Sequence, residues 1–146
     1  MGNFRNPSRA EIDAFLRRIR TIAIVGLSDN SSRPSHAVAR SLQSFGYTIV
    51  PVNPSVTSIL GARCWPSLEA ATVAMPVESP IDLVDVFRSP EFAPAIVNEC
   101  LRLKLPAIWL QDGVVHDEAA LRAQAAGLFT VMDRCIHRDR AMLAAS

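Results

Sequence analysis

The apolar residues of this chain recur with two different periods. Short, nearly continuous apolar runs are typical of strands buried on both faces, whereas apolar positions three and four residues apart are typical of amphipathic helices. The runs predict strands over residues 21–27, 47–52, 82–87, 107–111 and 128–132. The helical spacing predicts helices over residues 8–20, 34–45, 68–74, 90–104, 117–126 and 138–145.

This alternation of strands and helices predicts an α/β fold. We expect a Rossmann-like, doubly wound, mainly parallel five-stranded sheet with helices on both faces. The length of 146 residues suits a single domain, 1–146, with an N-terminal helix at 8–20 and a core from about 21 to 136. The less regular stretch that follows the second strand is expected to hold a short extended piece at 59–61 and a surface loop at 75–80.

Three of the predicted helices carry local signals for where they begin or which face they bury. Ser8 and Glu11 form a capping-box pattern at the start of the first helix, which we expect to pack on the edge of the sheet. The helix at 34–45 is expected to bury Ala37, Val38, Ser41, Leu42 and Phe45. The helix at 90–104 is expected to bury Phe92, Ile96, Cys100 and Leu103.

A ligand is expected at the carboxyl ends of the strands, because open α/β sheets bind ligands there, at the topological switch point. After the first strand, Gly26 allows close backbone approach, Arg33 offers a cation, and the start of the next helix offers free amides. Hydroxyl groups in the same loop come from Ser28, Ser31, Ser32 and Ser35. These residues predict a phosphate-binding loop, and the alternative is a polar, flexible connector.

The details of the first two strand ends argue against an ordinary NAD site. The loop lacks the GxGxxG pattern, and Asn53 stands where an Asp or Glu would hold the ribose of NAD. Asn53 could face adenine or a ribose beside a phosphate, or it could form a turn with Pro54. Arg33 leaves NADP open.

Other polar residues near the strand ends have both structural and chemical interpretations. Arg88 either contacts a diphosphate or caps a neighbouring carbonyl, and Asp85 is expected to accept hydrogen bonds from a neighbouring loop. Cys135 follows the last strand beside Arg134, whose cation would make the thiol more reactive if close; the alternative is a plain, semi-buried cysteine. We expect no metal site, and surface or capping roles for His36, His116 and His137.

Composition narrows the class of protein further. The chain is 49% hydrophobic and 20% charged, with a formal net charge of +1, so we expect a globular protein with no attraction to nucleic acid or to an anionic membrane. The three cysteines are too few and too scattered for a disulfide framework, and residues 1–20 lack the apolar run of a signal peptide. We therefore expect a cytoplasmic location.

Seven short segments together carry a family resemblance. They are Thr21–Ser28, Arg33–Ser35, Gly46–Pro54, Ile59–Gly61, Asp82–Arg88, Ile108–Gln111 and Val131–Cys135. In this order they resemble the small stand-alone CoA-binding proteins, which are related to the nucleotide-binding domain of the succinyl-CoA synthetase α subunit.

The resemblance implies a Rossmann-like fold that holds coenzyme A in a cleft. By position, the phosphates would be held by Gly26, Ser28, Arg33 and Ser35. The adenosine end would meet Val52 and Asn53. The cleft would also be lined by Phe87, Arg88 and Gln111.

The sequence therefore predicts a protein that binds coenzyme A or an acyl-CoA at the carboxyl ends of the parallel strands, with no evident catalytic centre. Whether it is an enzyme stays open, and no protein partner is indicated. The alternatives are an NAD(P)-linked oxidoreductase and a nucleotide-sensing regulatory module.

Overall fold

The structure is a computed structural model that describes residues 3–144. Within that range the strands are β1 (Thr21–Val25), β2 (Thr48–Val52), β3 (Ser58–Ile59), β4 (Ala62–Arg63), β5 (Leu83–Val86), β6 (Ala107–Leu110) and β7 (Phe129–Met132). The α-helices are α1 (Arg9–Arg18), α2 (Pro34–Ser44), α3 (Leu68–Ala74), α4 (Ala93–Arg102), α5 (Asp117–Ala125) and α6 (Ile136–Ala144).

Five strands form one parallel sheet in the spatial order β2-β1-β5-β6-β7. The chain leaves β1 for β2 on one side and then returns to pair β5 on the other side of β1. The order therefore reverses between β1 and β5, and the carboxyl ends of these two strands mark the topological switch point. The predicted fold class is confirmed.

Helices cover both faces of the sheet, as predicted. Successive side chains of a strand point to opposite faces. Ile24 belongs to the core cluster that contains residues of α1, α2 and α6, whereas Val25 belongs to the one that contains residues of α3, α4 and α5. Trp109 is the largest fully buried side chain and lies on the same face as Ile24. Within the described residues, no helix combines the length and apolar character needed to cross a membrane.

Helix α1 begins as predicted, but it packs against a different part of the sheet from the one predicted. Ser8 and Glu11 form both hydrogen bonds of a capping box. Phe15 stacks on Phe129 of one edge strand, with ring centroids 4.2 Å apart, while the Leu16 carbonyl accepts a hydrogen bond from the Tyr47 hydroxyl beside the other edge strand. The helix therefore crosses a face of the sheet rather than packing on its edge.

Helix α2 buries a face that differs from the prediction at several positions. Ala37 is exposed, and Ser41 and Phe45 are only half-buried. The buried side chains are those of Ser35, His36, Val38, Ala39 and Leu42. The cause is that small and polar side chains, which give little periodic signal, pack closely against the sheet here.

Helix α4 begins later than predicted, and this shifts its buried face. A single 3-10 turn covers Pro90–Phe92, so Phe92 precedes the helix and is 40% exposed instead of buried. Cys100 is buried as predicted, but Ile96 and Leu103 are only partly buried. The fully buried positions of the helix are Ala93, Val97 and Cys100.

The stretch between β2 and β5 is more ordered than the sequence suggests. Residues 58–63 form the antiparallel β3–β4 hairpin where we expected one extended piece. Helix α3 has the predicted bounds, and the Ser67 side chain caps it by accepting a hydrogen bond from Ala70 N.

Candidate functional site

Gly26 occupies the switch point of the sheet. Its φ of +86° lies in the left-handed region, and its N–H donates to the Val52 carbonyl at 3.1 Å. A Cβ atom placed on Gly26 would stand 2.3 Å from the Phe87 carbonyl oxygen. The ends of β1 and β5 therefore approach so closely that only glycine fits, and the backbone is left open to an incoming group.

Three connected grooves surround this point. The β1–β2 groove, of about 400 Å³, includes among its lining Gly26, Val52, Asn53, Pro66, Leu68 and Arg88. The loop groove, of about 340 Å³, is lined by Gly26, Ser28, Arg33, Pro34, Ser35 and Phe87. The β5–β6 groove, of about 420 Å³, includes among its lining Pro34, Val38, Phe87, Gln111, Val114 and Cys135. Shared walls at Gly26, Pro34 and Phe87 join the grooves, and every residue predicted for the site lines at least one of them.

The loop groove contains two serine hydroxyls in defined positions. Ser35 Oγ accepts a hydrogen bond from Ser28 N at 3.0 Å, and Ser28 Oγ accepts one from Asn30 N at 3.0 Å. Each hydroxyl oxygen thus accepts a hydrogen bond within the loop, and each hydroxyl proton is still available to donate a hydrogen bond to a ligand. An anion bound above the loop would accept hydrogen bonds from both hydroxyl groups.

Two guanidinium groups flank Gly26 without a partner of opposite charge. Among the described residues, Arg33 and Arg88 form no ion pair and no side-chain hydrogen bond; Arg88 lies over the Phe92 ring, 4.0 Å from its centroid. Arg88 therefore caps no carbonyl of residues 3–144, contrary to the alternative interpretation of this residue. Both positive charges remain available to an anionic ligand.

Asn53 forms a turn and at the same time lines the β1–β2 groove. Its Nδ2 donates to the Leu27 carbonyl at 2.9 Å, and its Oδ1 accepts from Ser55 N at 2.8 Å. These bonds tie the end of β2 to the loop after β1. No carboxylate stands at this position, so the NAD-type contact to the ribose is absent here.

Gln111 and the segment after β7 close the far side of the site. Gln111 Oε1 accepts a hydrogen bond from Ile136 N at 3.1 Å and so joins the end of β6 to the start of α6. The Arg134 guanidinium donates to both carboxylate oxygens of Asp139, at 2.6 and 2.8 Å. The cation expected to act on Cys135 is therefore engaged by Asp139.

Among the residues described, Asp85 lacks the hydrogen bonds from a neighbouring loop that the sequence predicts for it. The residue is fully buried on the same face as Trp109, and neither carboxylate oxygen makes a hydrogen bond in the described structure. Burial raises the pKa of Asp85 well above its usual value, and the nearby backbone N–H of Val86 offsets only part of that effect. Within residues 3–144 no loop donates to it, since β1 and β6 pair with β5 on its two sides.

The histidines have different environments. His116 Nδ1 accepts a hydrogen bond from Ala119 N at 3.1 Å and caps α5, which confirms the capping role. His36 is buried and its Nδ1 has no hydrogen-bond partner among the described residues, so a surface role is wrong for it. Among residues 3–144, no group of three or more His, Cys, Asp or Glu side chains is arranged to hold a metal ion.

One wall of the site has no local signal in the sequence. Pro66 and Leu68 line the β1–β2 groove because Trp65 returns to β2, where Trp65 N donates to the Pro51 carbonyl and Asn53 N donates to the Trp65 carbonyl, both at 2.9 Å. Such a return depends on pairing between distant residues, which no short pattern reports.

A larger cavity of about 630 Å³ lies at the opposite edge, near the starts of β1 and β2. Its lining includes both charges, from Arg18 and Arg20 and from Glu78 and Asp82. The rule for open α/β sheets favours the carboxyl edge, where Gly26, the serine hydroxyls of the loop, Arg33 and Arg88 lie.

Comparison with known proteins gives two kinds of relative. The chain is 41% identical over 132 residues to the protein YneT of Bacillus subtilis, covering 90% of this chain and 93% of that protein. It is also 28% identical over 81 residues to an ADP-forming acetate–CoA ligase of Methanocaldococcus jannaschii, a match that spans 56% of this chain but only 11% of the ligase.

Solved structures show the same fold at nearly full length. The protein ID.343 from Thermus thermophilus has a TM-score of 0.83 and 33% identity, with 94% of this chain and 99% of that chain covered. A hypothetical protein from Pyrococcus horikoshii OT3 has a TM-score of 0.84 and 30% identity, with 99% of each chain covered.

The family model described as "CoA binding domain", CoA_binding_2, matches residues 20–140. This range contains the whole sheet and all three grooves, and it confirms the resemblance drawn from the sequence segments. The chain belongs to the CoA-binding domain family.

Proposed function

We propose that this protein binds coenzyme A or an acyl-CoA in the three connected grooves at the carboxyl ends of the strands. The observation that carries the proposal is the arrangement at the switch point. There, Gly26 leaves the backbone open. Arg88 lines the β1–β2 groove and Arg33 the loop groove, and neither guanidinium group has an ion-pair partner among the described residues. Coenzyme A has a diphosphate between a 3′-phosphoadenosine end and a neutral pantetheine arm, which fits a cationic centre with a groove on each side.

We assign each part of coenzyme A to the residues that line one of the grooves. The phosphates are proposed to lie against Gly26, Ser28, Arg33 and Ser35, with hydroxyl donors, a guanidinium group and the start of α2 around them. The adenosine end is proposed to lie near Val52 and Asn53, and Phe87, Arg88 and Gln111 complete the lining.

The proposal is one of binding, without a catalytic centre in this chain. We propose a cytoplasmic location, since all three cysteines are free thiols. The NAD(P)-linked alternative is less well supported, because Asn53 uses both ends of its amide on the backbone and no acidic residue takes its place.

Isothermal titration of the purified full chain tests this proposal. We expect saturable binding of one coenzyme A per chain, with NAD and NADP at least about tenfold weaker, since neither the ribose carboxylate nor the GxGxxG loop is present. Tighter binding of NADP than of coenzyme A would contradict the proposal.

A further inference from the structure

The β5–β6 groove leads from the phosphate loop to a cysteine. Pro34 and Phe87 form the wall that it shares with the loop groove, and Cys135 lies on its lining beside Gln111. Apolar side chains of Val38 and Val114 form much of the remaining surface. A flexible, weakly polar chain that starts at the phosphates can therefore follow this groove to a thiol.

The three cysteines of the chain differ in how well a reagent can reach them. Cys64 is 6% exposed and its thiol donates to the Asn53 carbonyl at 3.5 Å; burial raises its pKa. Cys100 is fully buried in the core, and burial raises its pKa to about 12. Cys135 is partly exposed and makes no side-chain hydrogen bond with a described residue.

Gln111 provides an independent sign that the groove receives a polar ligand. The residue is only 3% exposed, and its Oε1 is occupied by Ile136 N. Its Nε2 makes no hydrogen bond with the described residues and is not one of their fully buried polar atoms, so it is accessible from outside. Because the little surface that Gln111 exposes lines the groove, this nitrogen is placed to donate to a carbonyl of a bound chain.

We propose that Cys135 forms a mixed disulfide with the pantetheine thiol of bound coenzyme A, by exchange with a coenzyme A disulfide; this inference rests on the proposed function. The Cys135 thiol loses its proton, and its sulfur attacks the nearer sulfur of the ligand. The ligand's S–S bond breaks, a bond forms between Sγ and that sulfur, and the second coenzyme A leaves as a thiolate that takes up a proton. The Cys135 sulfur is oxidised, the departing sulfur is reduced, and no other oxidant is needed.

The test is intact-protein mass spectrometry of the full chain incubated with coenzyme A disulfide, oxidised glutathione or pantethine. We expect one coenzyme A adduct that dithiothreitol removes, formed at least about tenfold faster than the glutathione or pantethine adducts because the phosphate loop positions the disulfide. The adduct should be lost in Cys135→Ser and retained in Cys64→Ser. Gln111→Glu keeps the acceptor for Ile136 N but removes the free donor, so adduct formation should slow, whereas it should not slow in the exposed control Gln124→Glu.

Several results would overturn the inference. They are equal rates with oxidised glutathione or pantethine, an adduct on Cys64 or Cys100, or no adduct on the wild-type chain. Calorimetry with reduced coenzyme A on the same preparation distinguishes failure of the disulfide inference from failure of the proposed function. Binding without an adduct would reject the disulfide and leave the proposed function standing, whereas absence of binding would reject the proposed function itself.

Discussion

Gly26 and Phe87 approach so closely that a single added methyl group on Gly26 would lie 2.3 Å from the Phe87 carbonyl oxygen. The contact joins the end of β1 to the end of β5, the two strands between which the sheet order reverses. It therefore fixes the width of the site at its centre, where both the β1–β2 groove and the loop groove begin.

Gly26→Ala should destabilise the protein more than an alanine at another left-handed glycine. Gly113 has a similar φ of +79° but nothing within 4 Å of a Cβ, so Gly113→Ala should cost about 1–2 kcal/mol for backbone conformation alone. Gly26→Ala adds the clash, for a total of about 3 kcal/mol or more. Urea denaturation of both variants measures the difference, and equal losses would show that the close approach is relieved at little cost.

Arg33→Ala should weaken coenzyme A binding by about ten- to a hundredfold, because it removes a charge-assisted hydrogen bond to phosphate. Its melting temperature should hardly change, since the guanidinium group has no partner among the described residues. Arg40→Ala removes the same charge from an exposed position of α2, the helix that follows Arg33, and is the matched control. Equal affinities of the two variants, measured by calorimetry, would mean that the loop does not contact phosphate.

Asp85 should make the protein less stable as the pH rises. Its folded-state pKa lies well above the usual value of 3.8, so above about pH 4 the unfolded chain loses this proton while the folded chain keeps it. Stability from this group is complete below that pH and falls by about 1.4 kcal/mol per pH unit until the folded-state pKa is reached.

Asp85→Asn should therefore raise the free energy of unfolding near neutral pH and flatten its decline with pH. Urea denaturation of both proteins between pH 4 and pH 8 measures this. Parallel pH profiles for the variant and the wild type would show that Asp85 ionises as readily in the folded chain as in the unfolded one.

Asp139 should make the protein more stable as the pH rises, which is the opposite of the effect expected for Asp85. Burial acts to raise its pKa, but the hydrogen bonds and charges of Arg134 and Arg9 outweigh burial and lower it. The ion pairs therefore stabilise the fold above about pH 4, and this contribution disappears as the pH falls through the lowered folded-state pKa.

Asp139→Asn should destabilise the protein at pH 7 by roughly 1–3 kcal/mol, a modest figure because both arginines are about one-third exposed and partly screened. Thermal unfolding at pH 7 and at pH 3 checks this. A loss of the same size at both pH values would mean that packing, and not the ion pairs, is responsible.

The sheet and its switch point could be predicted because their signals are local. The apolar run before Gly26 indicates a strand, and the polar loop and Pro34 that follow indicate a helix start. Every residue predicted for the site ends a strand, follows one or begins the next helix. The carboxyl-end rule therefore predicts that they lie at one edge of the sheet, although the sequence gives no distances.

The features that could not be predicted depend on tertiary packing. Phe92 fits the helical spacing of its neighbours, but the 3-10 turn at Pro90–Phe92 places it before the helix, where Arg88 covers its ring. The return of Trp65 to β2 is likewise set by residues distant in sequence, and so is the lack of a donor for Asp85 in the described part of the chain.

The most direct test of the account is the shift in melting temperature with each candidate ligand at the same concentration. Coenzyme A at about 100 times its Kd should stabilise the fold by about 2.7 kcal/mol. For a protein of this length that corresponds to roughly 5–11 °C. NAD, NADH, NADP and NADPH should each give a much smaller shift. A larger shift with any nicotinamide cofactor than with coenzyme A would contradict the central claim that these grooves are built for coenzyme A.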